Sequence, residues 1–106
     1  PSRLQFYHKY IPYNGETYFV SVQIIASDGS VIAAGTQTGG EVSSWTLASV
    51  DLTYSDISKK AEKIYISFKS SSAATPAYRD YTLTVADNKE YIGSILYVDD
   101  LELIYE

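Results

Sequence analysis

The chain has 106 residues, with 8 Lys and Arg against 13 Asp and Glu, and therefore a formal net charge of −5. The absence of Cys and the presence of one His exclude a disulfide framework, a thiolate nucleophile and a zinc finger. Eight dispersed cations do not make the basic footprint that binds nucleic acid, and no apolar run approaches the roughly 20 residues of a membrane span. We expect one globular domain over residues 1–106, rich in the Ile, Val, Thr and Tyr that strands favour.

The first third of the chain predicts three strands. Leu4–Ile11 alternates in side-chain type, and one of its faces carries Leu4, Phe6, His8 and Tyr10. A turn with the Asn14-Gly15 signal separates it from a second strand, Thr17–Ile25. The more apolar face of that strand is expected in the core and carries Tyr18, Val20, Val22 and Ile24. An Asp-Gly pair then closes a predicted hairpin over Tyr18–Thr36.

The middle of the chain predicts a loop followed by a strand. Thr36–Ser44 is polar and glycine-rich, which is typical of a loop. In the predicted strand Trp45–Tyr54, Trp45 and Leu47 are out of phase with the later apolar residues, so a bulge is expected near Ala48–Ser49. Trp45 is expected to anchor the core rather than to contact a ligand.

The third quarter of the chain contains the best helix candidate. Asp56–Lys63 is predicted to form one or two helical turns, with Asp56 or Ser58 as the cap. Lys63–Ser70 follows as a strand, whose inward residues are Ile64, Ile66 and Phe68. Ser71–Glu90 is long, polar and irregular, and its middle, Asp80–Ala86, has the composition of a short strand.

The last predicted strand is Gly93–Tyr105. Its residues in phase are Tyr97, Asp99, Leu101, Leu103 and Tyr105. This phase directs Asp99 toward the core and Asp100 to the opposite face. Six or seven strands without interleaved helices predict an all-β fold, most simply an antiparallel β-sandwich.

The last strand also carries a family pattern. Gly93–Leu103 (GSILYVDDLEL) resembles the last strand of jelly-roll carbohydrate-binding modules, in which an aromatic residue and one or two Asp precede alternating apolar residues. The aromatic-Lys-Tyr ending of Phe6–Tyr10, the hairpin Ile24–Ala33, Trp45 after a polar loop and the serines of Ser70–Ser72 agree in order. The chain is similar to the carbohydrate-metabolism domain (PCMD) at the C-terminus of Bacteroidetes surface and secreted proteins.

This resemblance carries several implications. It implies a jelly-roll or galactose-binding-like sandwich, and a secreted, periplasmic or cell-surface location. The family usually has more sequence before the position that matches Ser2. We therefore expect this chain to be the C-terminal part of a longer precursor. We also expect this chain to lack one or two N-terminal strands of the sandwich. Such an open edge would allow strand pairing with another segment or chain.

A structural calcium ion at Asp99 is implied by the same resemblance. In related jelly rolls the Asp at this position ligates Ca²⁺ together with backbone carbonyls, a donor set that suits this hard cation. The residues alone leave a second interpretation open. They favour an inward-facing carboxylate at Asp99 that is satisfied by backbone amides or a hydroxyl instead of an ion.

Tyrosine is the most abundant aromatic residue, with 11 of the 15 aromatic side chains, and it suggests a sugar-binding surface. Aromatic rings stack on sugar faces because the ring face is negative and the sugar C–H groups are apolar and slightly positive. The candidates lie out of phase with the core sets, in a turn or in the long loop, and they are Tyr7, Tyr13, Tyr65, Tyr78 and Tyr81. The alternative is that these tyrosines are ordinary half-buried strand residues.

The sequence therefore favours a non-catalytic carbohydrate-binding accessory domain, whose partner is an oligosaccharide or polysaccharide. The alternative is a structural or adhesive surface module without sugar affinity. An enzyme is disfavoured for two reasons. The sequence contains no nucleophile elbow that would supply a serine for a catalytic triad with His8. Asp99 and Asp100, on opposite faces of a strand, could not flank one glycosidic bond. Lys59, Lys60 and Lys63 are expected in a solvated turn.

Overall fold

Nine strands and no helix are present among the residues that the computed structural model describes, which are 1–72, 80–85 and 90–106, with side chains for 1–72 and 93–106. In chain order the strands are β1 (Arg3–Ile11), β2 (Tyr18–Ala26), β3 (Val31–Gly39), β4 (Val42–Asp51), β5 (Thr53–Tyr54), β6 (Ala61–Lys69), β7 (Asp80–Val85), β8 (Glu90–Ile92) and β9 (Ile95–Ile104). One antiparallel sheet has the order β4-β1-β9 and a second has the order β5-β3-β2-β6, while β7 and β8 pair with each other. The two larger sheets pack together, which confirms the predicted all-β sandwich.

The core lies between β1 and β2, the central strands of the two sheets. Alternate residues of both strands are buried, as their sequence pattern predicted, and these are Leu4, Phe6, His8 and Tyr10 from β1 and Tyr18, Val20, Val22 and Ile24 from β2. Aromatic rings meet edge to face across the sheets, with centroids 5.4 Å apart for Phe6 and Phe68 and 5.3 Å apart for Tyr10 and Tyr18. Each large apolar side chain buried here stabilises the fold by about 1.5–3 kcal/mol.

The hairpin of β2 and β3 is confirmed, together with its Asp-Gly turn. Gly29 has a φ of 85°, which a residue without Cβ adopts at little cost. The Asp28 carboxylate accepts hydrogen bonds from the amide and hydroxyl of Ser30 and from the Lys59 ammonium, whose Nζ lies 2.8 Å away. The bond from Lys59, followed by those from Ser30, lowers the pKa of Asp28, and the same pairing raises the pKa of Lys59.

The connection between β1 and β2 crosses from one sheet to the other at the predicted Asn-Gly turn. Asn14 and Gly15 both have positive φ, 55° and 68°, which is typical of a tight turn with these residue types. The amide of Glu16 donates to the carbonyl of Tyr13 across the turn.

The predicted loop Thr36–Ser44 is wrong, because β3 continues to Gly39 and β4 begins at Val42. Polar residues fill these strand ends because every second side chain of β3 points to solvent. Gly39 is required there by packing, since a Cβ at this position would lie 2.7 Å from the ring of Tyr18. Gly39 therefore reflects close packing, whereas Gly40 lies in the short turn between the two strands with nothing within 4 Å of its Cβ position.

The bulge predicted near Ala48–Ser49 is also misplaced. Ala48 and Ser49 pair regularly with Phe6 and Gln5, and the β1–β4 register changes instead between the pairs that involve His8 and Tyr10. The alternation of β4 is thus continuous from Thr46 to the strand end.

β4 leads directly into β5, so the chain changes sheet at Leu52. At this crossing the carbonyl oxygen of Asp51 lies against Gly35 of β3, and a Cβ on Gly35 would come within 2.1 Å of that oxygen. Glycine at position 35 therefore permits the close approach of the two strands.

The predicted helix Asp56–Lys63 does not form. The Asp56 carboxylate accepts hydrogen bonds from the amide and hydroxyl of Ser58, which lower its pKa and hold a local turn. Such bonds compete with helical backbone bonds. β6 then begins at Ala61 and confirms the strand predicted over Lys63–Ser70, with Ile66 and Phe68 packed on the core and Ile64 more exposed. The short strand predicted at Asp80–Ala86 is confirmed as β7.

Candidate functional site

Aromatic side chains gather on the solvent side of the β4-β1-β9 sheet. Tyr7 of β1 lies between Leu47 of β4 and Asp99 of β9 in the strand register. The neighbouring rings are Trp45 on β4 and Tyr97 on β9. Their exposed fractions are 41% for Tyr7, 48% for Trp45 and 42% for Tyr97. We call the surface formed by Tyr7, Lys9, Trp45, Leu47, Tyr97 and Asp99 the aromatic face.

Lys9 links two of these rings. Its ammonium lies 5.0 Å from the centroid of Trp45 and 5.2 Å from that of Tyr97. Each is a cation–π contact, worth about 0.5–1 kcal/mol at an exposed site. The lysine therefore holds a ring from each edge strand in place above the central strand β1.

The expectation that Trp45 anchors the core is wrong. Val50 is buried and Ala48 packs against the core, so these residues take the inward positions of β4. Residues of the opposite parity, including Leu47 and Trp45, consequently point to solvent. In the sequence, Trp45 is out of phase with the later apolar residues of β4. This difference indicated an outward-facing tryptophan, but it was interpreted as a bulge.

Asp99 also points to solvent, which corrects the predicted inward orientation. The pairs Gln5–Glu102 and Tyr7–Asp99 leave one extra residue on β9, and Asp100 at this bulge has a φ of 52°. The Asp100 amide donates to Asp99 Oδ1 over 2.8 Å, so the Asp99 carboxylate stabilises the bulge that displaces it. The extra residue reverses the inward parity of β9 from Leu96 and Val98 to Leu103.

The bulge creates an open groove beside the aromatic face. Its wider part has a volume of about 470 Å³ and is lined by Gln5, Tyr7, Leu47, Asp100, Leu101 and Glu102. An adjoining part of about 240 Å³ is lined by Tyr7, Trp45, Asp99 and Asp100. Asp99 and Asp100 thus border one groove, and the prediction that they face opposite sides is wrong. Tyr7 is common to both parts of the groove.

The predicted sugar-binding tyrosines do not lie on a single surface. Tyr7 is on the aromatic face, whereas Tyr65 of β6 is 59% exposed on the outer side of the other sheet. Tyr13 is half-buried in the turn between β1 and β2, where its amide donates to Ser94 Oγ. Tyr78 lies outside the described residues, and Tyr81 is in β7, where side chains are not described.

Besides Asp99, sequence reasoning missed Lys9, Trp45 and Tyr97 as members of the aromatic face. Lys9 had no role assigned, Trp45 was placed in the core, and Tyr97 was given the parity of the predicted core positions. The signal for Tyr97 was the Asp99-Asp100 pair, because two adjacent Asp residues disfavour a regular strand and accommodate a bulge.

His8 lies on the core side of β1, on the opposite side of the sheet from the aromatic face. The imidazole is buried and makes edge-to-face contacts with Phe6 and Tyr18. His8 Nδ1 lies 2.8 Å from the carbonyl oxygen of Thr46, and because a carbonyl only accepts, Nδ1 carries the proton. This bond fastens β1 to β4 immediately beside Trp45.

A separate polar cluster lies around Glu16, just before the start of β2. Glu16 accepts hydrogen bonds from the hydroxyls of Ser71 and Ser94, each over 2.7 Å. Nearby, the Tyr10 hydroxyl donates to the carbonyl of Ser70 over 2.6 Å, and burial raises the pKa of Tyr10. Ser71 follows β6 and Ser94 precedes β9, so Glu16 joins by hydrogen bonds the two segments that flank β7 and β8 in the chain.

Within the described part of the chain, no three His, Cys, Asp or Glu side chains are grouped closely enough to hold a metal ion. The structural calcium ion at Asp99 remains a prediction from the resemblance. Among the same residues there is no helix with the length and apolar character needed to cross a membrane.

Comparison with known proteins adds no relative: no family model matches the chain, and no curated protein or solved structure matches it significantly.

Proposed function

We propose that this protein is a non-catalytic carbohydrate-binding module whose binding site is the aromatic face and its adjoining groove. In this proposal it is an accessory domain of a bacterial surface or secreted protein. The observation that carries the proposal is the exposure of Tyr7, Trp45 and Tyr97 on three neighbouring strands beside an open groove.

The chemistry of this surface suits a sugar chain. Rings that remain about half exposed offer a face on which the C–H groups of a pyranose can stack. The carboxylates of Asp99 and Asp100 and the amide of Gln5 line the groove beside the rings and can accept or donate hydrogen bonds to sugar hydroxyls. An open groove favours an extended oligosaccharide over a small molecule, which usually needs a pocket that encloses most of its surface.

The charge of the groove selects among glycans. Asp99, Asp100 and Glu102 place three carboxylates along it, while the ammonium of Lys9 is engaged by two rings. We therefore expect neutral glycans to bind and uronate-rich or sulfated glycans to be repelled. Low ionic strength should strengthen this discrimination, since salt screens exposed charges.

Affinity electrophoresis through gels that contain neutral and anionic polysaccharides tests the proposal. The wild-type protein should be retarded by at least one neutral polysaccharide, and Trp45→Ala or Tyr97→Ala should weaken that retardation by about tenfold, the loss expected for one stacking contact. Tyr65→Ala is the matched control, because it removes an exposed tyrosine from the outer side of the other sheet. Equal loss in all three variants would overturn the aromatic face as the binding site. No retardation by any polysaccharide would overturn the proposal and favour the structural or adhesive module.

The non-catalytic part of the proposal has its own test. Asp99 and Asp100 border one groove, and a pair of carboxylates is also what a glycosidase uses. The test is to incubate the retained oligosaccharide with the protein and to separate the products by chromatography. We expect intact oligosaccharide. Shorter products that disappear with Asp100→Asn would instead identify a glycosidase.

A further inference from the structure

The two packed sheets end in four strands that differ in how their edges are protected. In the described structure, β4 and β9 are the edges of one sheet and β5 and β6 are the edges of the other. Exposed strand edges are templates for pairing with another chain, and proteins protect them with charges, bulges or short length. β5 has two residues, and β6 carries Glu62, Lys63 and Lys69. β9 carries three carboxylates and the bulge at Asp100.

β4 has few of these protections. Its first nine residues, Val42–Val50, contain no charged residue, no proline and no glycine. Its pairing with β1 shifts in register between Val42 and Thr46 but is regular from Thr46 to Asp51, so the regular edge of β4 is confined to that second stretch. Among the described strands β4 pairs with β1 alone, which leaves its other side open.

We propose that β4 pairs antiparallel with β4 of a second copy of this chain, about a twofold axis, and joins two three-stranded sheets into one of six strands. A second copy is the favoured occupant because the pairing is self-complementary. The chain carries a net charge of −5, so two copies repel each other overall, but antiparallel pairing of Trp45–Asp51 with itself brings no like charges opposite each other.

The faces of the strand restrict the register. The buried faces of both copies stay on the same side only if paired residues have the same parity, because a one-residue slip exchanges the two faces. A twofold axis at Ala48 satisfies this condition and places Leu47 of one copy opposite Ser49 of the other. It also places Asp51 opposite Trp45, whose ring is contacted by Lys9, so that a carboxylate approaches an ammonium. This charge complementarity favours Ala48 as the centre.

The pairing does not depend on sugar binding. It leaves both aromatic faces on the same side of the extended sheet, so a dimer that does bind glycan would present two sites to one polymer.

Sedimentation equilibrium tests the dimer. We expect the wild-type protein to dimerise in a concentration-dependent manner, and Ser49→Lys to weaken dimerisation by about tenfold, because it puts a lysine on the edge strand of both copies. Gln5→Lys is the matched control, since Gln5 is directly opposite Ser49 but on the central strand β1. Thermal unfolding checks that both variants fold. A monomeric wild-type protein, or equal weakening by the two substitutions, would overturn the proposal.

Disulfide crosslinking tests the register, because the chain has no native cysteine. Leu47→Cys and Ser49→Cys proteins are oxidised separately and as a mixture. Pairing centred on Ala48 predicts that the mixed crosslink forms faster than either crosslink between like copies. Slow crosslinking in all three samples would show that a dimer, if present, uses a different surface and would contradict β4 pairing.

Discussion

Tyr10 combines a large buried ring with a hydroxyl that is fully engaged. Its hydroxyl donates to the carbonyl of Ser70, and burial raises its pKa. Replacement by Phe keeps the ring packing but leaves that carbonyl without this donor. We expect Tyr10→Phe to lower the free energy of unfolding by about 1 kcal/mol at neutral pH, measured by urea denaturation.

The same tyrosine predicts a difference at alkaline pH. Since its folded-state pKa is raised, its contribution is fully present below the unfolded pKa of about 10 and is lost as the pH rises through the folded pKa. Wild-type stability should therefore fall more steeply above pH 10 than that of Tyr10→Phe. Parallel pH profiles for the two proteins would contradict this assignment.

Gly35 is the position where an added methyl group should be most disruptive. Its Cβ would lie 2.1 Å from the carbonyl oxygen of Asp51 and 3.0 Å from Val50 Cγ1, and a backbone atom cannot rotate away. We expect Gly35→Ala to lower the free energy of unfolding by about 3 kcal/mol. Gly40→Ala is the control, because nothing lies within 4 Å of its Cβ position. Equal stability of the two variants in thermal unfolding would contradict the close approach of β3 and β4.

Single residues also show how far the site was predictable. Tyr7 was selected correctly as an outward tyrosine because the alternation of β1 is unbroken around it. Trp45 was assigned to the core because a tryptophan in a β-sandwich is more often a core anchor than a ligand contact, although its parity relative to Val50 pointed outward. Parity was the better guide, because a strand that packs on one face exposes every second side chain regardless of its hydrophobicity.

At the scale of elements, strands with strict alternation were predicted well. β1, β2 and β6 follow their sequence patterns, and the Asp-Gly turn between β2 and β3 needed only local chemistry. β9 was predicted as a strand, but its inward face was wrong up to Asp99 and agrees with the structure again at Leu103, because one bulged residue reverses the parity between the two halves of the strand. The predicted helix at Asp56–Lys63 was wrong for a different reason. The hydrogen bonds from Ser58 to the Asp56 carboxylate hold a turn in place of the first helical turn.

Glu16 gives a prediction for the connection between elements. Its two hydrogen bonds hold Ser71 and Ser94, which flank the β7–β8 hairpin. We expect Glu16→Ala to lower the free energy of unfolding by about 2 kcal/mol and to speed amide exchange at the start of β9. Glu41→Ala, at the exposed turn between β3 and β4, should change neither quantity. Similar exchange rates in both variants would show that Glu16 does not hold this end of the sandwich.

At the scale of the whole molecule, the residues that stabilise the sandwich are separate from those that we propose for glycan binding. The side chains between the two sheets supply the core, while the outer side of the β4-β1-β9 sheet carries exposed rings that the core does not need. The sequence predicted this division in general terms, since alternation and the absence of helical patterns were sufficient for the fold class. The composition of the aromatic face was not predictable, because it depends on the register between β1 and its two neighbours and on the bulge at Asp100.

Trp45 reports directly on the proposed binding of a glycan to the aromatic face, because it is the only tryptophan in the chain. The decisive measurement is the fluorescence of Trp45 during titration with the neutral oligosaccharide that binds best. A saturable shift of its emission to shorter wavelength is expected, as a sugar covers a ring that is now 48% exposed, and Tyr65→Ala should give the same curve. An unchanged Trp45 spectrum at a concentration that saturates binding would place the glycan elsewhere and contradict the claim.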